Sequence, residues 1–314
     1  MFVVLDVVRK RTRDISRENR ILIVKRVVSV FQAGGVAGVL SAIVRRIRTP
    51  RARCFPVIRE IVGGATGIEI GGPSPIFAWG GMIPLYPLAK RVDNVNFAHS
   101  TIWEDATEEG DSFAFHPGKA PGQRIVAEGA DLRVIPSAKY DFVLSSHILE
   151  HTANPLRALA EWGRLLRSGG ALVLVVPHRD GTFDHRRPIT TMSHLVDDFE
   201  TSMGEDDLTH LPEILQLHDL SRDPGLTDVD MFRERAARNA EFRSLHHHVF
   251  DTRLAVDAVL HAGFELVAVE QLQPYHIVVF ARKALAEAAA SRFDEDALRD
   301  ALRKSPFRSD RQGS

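Results

Sequence analysis

The chain has 314 residues, 44% hydrophobic and 26% charged, with a formal net charge of -1. This is a globular composition, long enough for one large domain with additions or two modest ones, and its charge balance points to no nucleic-acid partner. Cys54 is the single cysteine, so an intrachain disulfide framework is excluded and a reducing, cytoplasmic compartment is expected.

Residues 1–60 read as a basic helical arm, in which lysines and arginines outnumber Asp6, Asp14, Glu18 and Glu60. The opening MFVVLDVVRKR lacks the basic start, apolar core and small-residue cleavage site of a signal peptide. Within the arm, Val27 to Val44 is an uncharged run flanked by Lys25-Arg26 and Arg45-Arg46. Its length just reaches the roughly 18 residues of a membrane-spanning candidate. Gln32, the glycines and the serines lower its hydrophobicity, so it reads as a helical cap on the core or a helix pair broken at Gly34-Gly35. The alternative is a peripheral helix on the anionic inner face of a membrane.

From residue 61 the pattern becomes that of alternating strands and helices. VGGATGIEI, Val62 to Ile70, is an apolar strand stopped by the turn GGPSP. Arg91 to Phe97 (RVDNVNF) alternates as a second strand, Glu104 to Gln123 reads as a loop, and Arg124 to Ala127 as a short strand. Tyr140 to Ser145 is a buried strand. A helix from about Pro155 to Leu166 carries Leu156, Leu159, Trp162 and Leu165 at helical spacing, with Ser168-Gly169-Gly170 as its stop. ALVLVV, Ala171 to Val176, has the continuous apolarity of a central strand buried on both faces. Strand, helix and strand in succession predict a right-handed crossover in a largely parallel sheet.

Residues 178–250 are rich in His, Asp, Arg and Pro, with helical pieces at Ser193 to Met203 and Asp230 to Glu241. They read as an insertion over the active-site edge. The sheet resumes with an amphipathic helix at Thr252 to His261 and strands at Phe264 to Val269 and His276 to Ala281. Residues 61–283 thus form one domain, and residues 284–314 an alanine-rich helix and a disordered tail.

The segment YDFVLSSHILEHTANPLRALAEWGRLLRSGGALVLVVPH, Tyr140 to His178, resembles the class I S-adenosylmethionine-dependent methyltransferases of the methyltransferase type 11 kind. The matching features are an aspartate after an aromatic, a histidine past the strand, a hydrophobic helix and an R-L-L-x-x-G-G turn. The likeness extends over about Ile68 to His178, and more weakly to Lys283. It implies an α/β fold with a Rossmann-like sheet, helices on both faces, a helical N-terminal arm and a His-rich lid insertion.

The resemblance also implies a set of cofactor contacts. In an open parallel sheet the ligand lies at the carboxyl ends of the strands, beside the switch point. Gly71, Gly72 and Pro73 would let the backbone approach the amino-acid portion of S-adenosylmethionine, and Glu69 would orient its cationic end. Asp93, with Asn94 beside it, would accept the ribose hydroxyls. Asp131 and Leu132 would meet the adenine, and Ser145 and Ser146 would face the reactive methyl. The family's usual G-x-G spacing is replaced by G-G-P-S-P, and a proline cannot donate an N–H.

Methyl transfer to a hydroxyl needs a group that accepts its proton as the new bond forms. His147 is the expected base, with His151 one turn later and Glu150 beside it. The alternative for His147 is a binding or capping role at the helix start.

The insertion holds many of the fourteen histidines. His178, Asp184, His185, Arg186, Arg187, His247 and His248 read as side chains that hydrogen-bond a hydroxyl-rich acceptor. A divalent ion such as Mg²⁺ is the alternative reading, although no pair has a strong zinc spacing and histidine suits Mg²⁺ poorly. GGPSP, VDNVNF, TFDHRRPIT and HHHVFD look like bacterial methyltransferases associated with cell-surface glycans, which implies O-methylation of a sugar or glycan acceptor. A lipid, quinone or other small secondary metabolite would suit the same chemistry, and a catalytically inactive binding protein would keep the fold. A dehydrogenase would need G-x-G-x-x-G at the first turn, which is absent. The N/D-P-P-Y/F type motif of nucleic-acid enzymes is absent too.

Overall fold

The computed structural model describes residues 50–98, 112–223, 228–284 and 294–312. The uncharged run at 27–44 lies outside the described residues, and among those residues no helix is long and apolar enough to cross a membrane.

In chain order the elements are α1 (Phe55–Val62), β1 (Thr66–Ile70), β2 (Arg91–Asn96), β3 (Ser112–Phe113), β4 (Gly122–Val126), β5 (Tyr140–Ser146), α2 (Pro155–Leu165) and β6 (Leu166–Pro177). The insertion supplies α3 (Met192–Glu200), α4 (Leu211–Leu217), α5 (Val229–Ala237) and α6 (Asn239–Phe242). The chain then forms α7 (Thr252–His261), β7 (Phe264–Leu272), β8 (His276–Lys283), α8 (Glu295–Arg303) and α9 (Arg308–Gln312).

The strands make one eight-stranded sheet in the order β3-β4-β2-β1-β5-β6-β8-β7. From β4 through β2, β1, β5 to β6 every pairing is parallel. Strand β8 then runs antiparallel to β6, and β7 antiparallel to β8. Because β1 is followed by β2 on one side and flanked by β5 on the other, the strand order reverses there. Loops leaving the carboxyl ends of β1 and β5 diverge and open a crevice.

The apolar run of β6 serves both faces of the sheet. Leu172, Leu174 and Val176 join one core layer with Leu156, Leu159 and Trp162 of α2 and Val256 and Val259 of α7. Val173 and Val175 join the opposite layer with Ile58 and Val62 of α1, Phe77 and Phe280. Side chains of period two thus meet an apolar layer on each side, which is why the strand reads as a continuous hydrophobic run.

Helix α2 starts where Pro155 follows Asn154, whose side chain accepts the Arg157 N–H. It ends at Leu165, one residue before the expected stop. Leu166 already pairs with Tyr140, and Gly169, at φ 71°, falls in an irregular stretch of the β5–β6 ladder instead of ending the helix. The C-terminal residues also differ from expectation. Residues 304–312 pack on the domain, because Asp310 is buried and accepts the N–H and hydroxyl of Thr252 and the hydroxyl of Ser305.

Candidate functional site

A cavity of about 450 Å³ opens at the carboxyl ends of β1, β2, β4 and β5. Its walls are Ile70 to Pro75, Val95 to Phe97, Ala127 to Gly129 and Ser146 to Ile148, closed by His151, Thr152, Glu205 and Arg243. The size suits a nucleoside-sized ligand. Gly71 and Gly72 have φ of 76° and 88°, and a Cβ on Gly71 would lie 2.3 Å from Ile148 Cδ1. A Cβ on Gly72 would lie 2.4 Å from the Glu69 carboxyl carbon. Only glycine both reaches this backbone region and leaves that space.

The expected cofactor residues divide sharply. Gly71, Gly72, Pro73 and Ser146 line the cavity. Glu69 lies beneath the turn: one oxygen accepts the Ser74 N–H at 3.1 Å and the other the Tyr86 hydroxyl at 2.6 Å. Asn94 braces the turn by donating to the Gly71 carbonyl at 2.5 Å. The Gly71 N–H is itself spent on the Val95 carbonyl, so the turn presents fewer donors than its sequence suggests.

Asp93 does not reach the cavity. It pairs in register with Ile68 in mid-strand, and its carboxylate accepts from Arg91, the Gln123 N–H and the Tyr140 hydroxyl. Burial opposes its ionisation, but these hydrogen bonds hold it below the ordinary carboxylate value. At the strand end the cavity meets Asn96 and Phe97 instead. Asp131 faces solvent against Arg133, Leu132 is in the core, and Glu128 and Gly129 line the cavity in their place. Ser145 is buried beside it without lining it.

His147 follows β5 at φ 56°, in the left-handed region that a bulky residue adopts only when its surroundings impose it. Its N–H donates to the Val175 carbonyl, which fixes the backbone. The ring lies between two partners: Nδ1 is 3.5 Å from Glu150 Oε1, and Nε2 is 2.9 Å from His276 Nδ1. Glu150 is fully buried, and among the described residues neither carboxylate oxygen has a hydrogen-bond partner. Burial opposes its charge, yet His147, His151 and His246 hold its pKa below the usual value. Burial pushes His276 down to about 4 and, with His246 nearby, His151 down to about 3, so both are neutral at physiological pH. Leu245 O, 2.9 Å from His151 Nδ1, accepts a proton held there.

A second cavity of about 510 Å³ shares His147 and His151 with the first. Its lining includes Glu150, Asp184, Arg187, His218, Arg235, Ser244, His246 and Tyr275. Of the expected acceptor-binding residues, it brings in Asp184 and Arg187. Arg187 is nonetheless committed to Glu213, Asp184 and the carbonyls of His246 and His247. Asp184 also pairs with His246 at 2.5 Å, which draws its pKa down to about 2 against the opposing effect of burial.

The remaining five lie elsewhere. His178 is buried, with Nε2 3.0 Å from Asp310 and its ring stacked on Phe307. His185 and Arg186 both meet Asp219. His247 pairs with Asn239, and His248 faces Asp198. Long-range contacts inside the insertion, not the acceptor cavity, claim these side chains.

Glu205 and Arg243 gave no signal in sequence, since they lie far from the strand ends that define the crevice. Arg243 donates to Glu205 and Glu128, both at 2.6 Å, and sits over the Phe97 ring. It therefore ties the insertion to the loops after β2 and β4.

Residues 84–174 match a family model described as a methyltransferase domain. No curated protein matches the chain. Among solved structures it is similar to a SAM-dependent methyltransferase from Aquifex aeolicus at 14% identity and a TM-score of 0.40, over 73% of this chain and 88% of that one. A SAM-dependent methyltransferase from Mesorhizobium loti is 16% identical at a TM-score of 0.41, over 74% of this chain and 98% of that one. Residues 84–174 thus match a methyltransferase domain, and they lie within a sheet whose strand order is that of a Rossmann-like methyltransferase fold.

Proposed function

We propose that the protein transfers a methyl group from S-adenosylmethionine to a hydroxyl of a sugar or glycan acceptor, with His147 as the base. The observation that carries this reading is the place of His147: it lies on the wall shared by the two cavities and is backed by a buried carboxylate. When bound, the cofactor supplies an electrophilic methyl on a sulfonium.

The Gly71-Gly72 turn, Asn96 and Glu128 would hold the cofactor in the first cavity, with Ile70, Val95, Phe97 and Ile148 as apolar walls. Ionised Glu150 favours the proton of His147 on Nδ1, which leaves Nε2 as the acceptor. His276, neutral and 2.9 Å away, can donate to that nitrogen until an acceptor hydroxyl replaces it. His147 then takes the hydroxyl proton as the oxygen–methyl bond forms, and Glu150 stabilises the imidazolium. The acidic, basic and histidine side chains around the second cavity favour a polyhydroxylated acceptor over a flat apolar one.

Calorimetric titration with S-adenosylhomocysteine tests the cofactor half: micromolar binding is expected, and absence of binding overturns the reading. A panel of free and lipid-linked sugars against quinols and fatty acids, scored by mass of the methylated product, tests the acceptor half. Exclusive methylation of quinols or fatty acids overturns the glycan assignment while leaving the chemistry intact.

A further inference from the structure

A second polar cluster lies inside the insertion, apart from both cavities. Three side chains converge there: His194 and Asp198, one turn apart on α3, and His248 of the HHHVF segment. Their ligand atoms all lie within 4.8 Å of one another. His194 Nε2 is 3.4 Å from Asp198 Oδ2, and His248 Nε2 is 3.2 Å from that same oxygen. His210 stands next to them, with its Nε2 3.1 Å from His194 Nε2.

The hydrogen bonding of this cluster is incomplete. Neither ring nitrogen of His248 has a hydrogen bond among the described residues, and nor does Asp198 Oδ2, although both side chains are at least 95% buried. Unsatisfied buried groups of this kind cost about 1–3 kcal/mol each, so a native structure rarely keeps three together without a partner. The spacing identifies that partner. Ligands held tetrahedrally at about 2.0–2.1 Å from a zinc ion lie about 3.3 Å from one another, close to the 3.4 and 3.2 Å that separate Asp198 Oδ2 from the two imidazoles.

We propose that His194, Asp198 and His248 form a three-residue site for a zinc-class divalent cation, with His210 beside it. Imidazole and carboxylate donors select that class over Mg²⁺, which demands six oxygen ligands. The access route is His194, whose side chain is 38% exposed while the other two of the triad face inward. The ion closes the insertion on itself, joining α3 to a segment distant in sequence. It also steadies the site, since the His248 N–H donates to the Glu150 carbonyl.

The test uses the full chain without a histidine tag, stripped with a chelator and titrated with ZnCl2, then with CoCl2. One equivalent of zinc by elemental analysis, a tetrahedral cobalt absorption spectrum and a raised Tm are expected, with MgCl2 unable to compete. Asp198→Asn and His248→Gln should weaken zinc binding by at least about 10-fold. Should those buried variants fail to fold, the half-exposed His194→Gln gives the same readout. Glu150→Gln should retain the ion. Zinc binding unchanged in His194→Gln, or lost in Glu150→Gln but kept in Asp198→Asn, overturns the proposal, as does failure of the stripped chain to bind zinc at all. These measurements do not involve S-adenosylhomocysteine, so their failure is separate from failure of the methyltransferase reading.

Discussion

At the scale of single residues, the strongest dependence should fall on His147. Replacing it by alanine removes the proton acceptor and should lower kcat by roughly 10²–10⁴-fold, with S-adenosylhomocysteine affinity little changed. Unchanged turnover assigns His147 a binding role only. Asn96 and Asp93 make a paired comparison. Asn96→Ala should weaken cofactor affinity, whereas Asp93→Asn should act on stability, because its partners are Arg91, Gln123 and Tyr140. Calorimetry and urea melts on the two variants separate these effects. The sequence places an acid near the end of the second strand, but not how far the ladder continues beyond it. Three further paired residues put Asn96, and not Asp93, at the cavity.

The pH dependence follows from the same side chains. His151, His210 and His276 are held neutral, with pKa values of about 3, 4 and 4 against an ordinary 6.5. Between those values and 6.5 the unfolded chain binds more protons, so stability falls as pH drops below 6.5. Asp184, depressed to about 2, keeps its contribution above its ordinary 3.8 and loses it as pH falls through about 2. His246 is raised, so its contribution is complete below 6.5 and is lost as pH rises through its folded value. Urea melts across this range should show a shallow maximum near neutrality. His151→Gln should flatten the acid limb; an equally steep limb would show that other groups set it.

At the scale of elements, the C-terminal turn is the least expected part of the fold. Asp310 accepts from the first residue of α7 and faces His178 at the end of β6, so α9 fastens two elements that lie far from it in sequence. Asp310→Ala leaves those buried donors unpaired and should cost about 2–4 kcal/mol, measured by urea denaturation. A cost near zero would show that the turn is held by Phe307 alone. Composition suggested a loose tail here because SPFRSDRQGS is polar and short. A buried aspartate has no local signature; only the facing Thr252 and His178 make it a structural residue. By contrast α2 was readable, since its cap, first-turn proline and apolar spacing all sit within one short segment.

At the scale of the whole molecule, the insertion and the sheet enclose the first cavity together. Arg243 bridges Glu205 of the insertion to Glu128 of the β4 loop, and burial of Glu128 pushes that carboxyl up against the lowering effect of Arg243. Arg243→Ala should loosen this closure and weaken S-adenosylhomocysteine binding by roughly 10-fold, equivalent to about 1.4 kcal/mol. Affinity that does not change would mean that the cavity closes without the bridge.

The succession of strands and helices along the chain, the buried run of β6 and the glycine turn after β1 were all determined by local sequence. Each depends on the periodicity of neighbouring side chains or on a backbone shape only certain residues adopt. The tertiary structure alone decided which polar residues face the cavities and which face each other. Asp93, His178, Arg187 and His248 look alike in sequence to any binding residue. Each of them has at least one partner tens to more than a hundred residues away, because a buried polar group takes whichever partner the packed chain brings within hydrogen-bond reach.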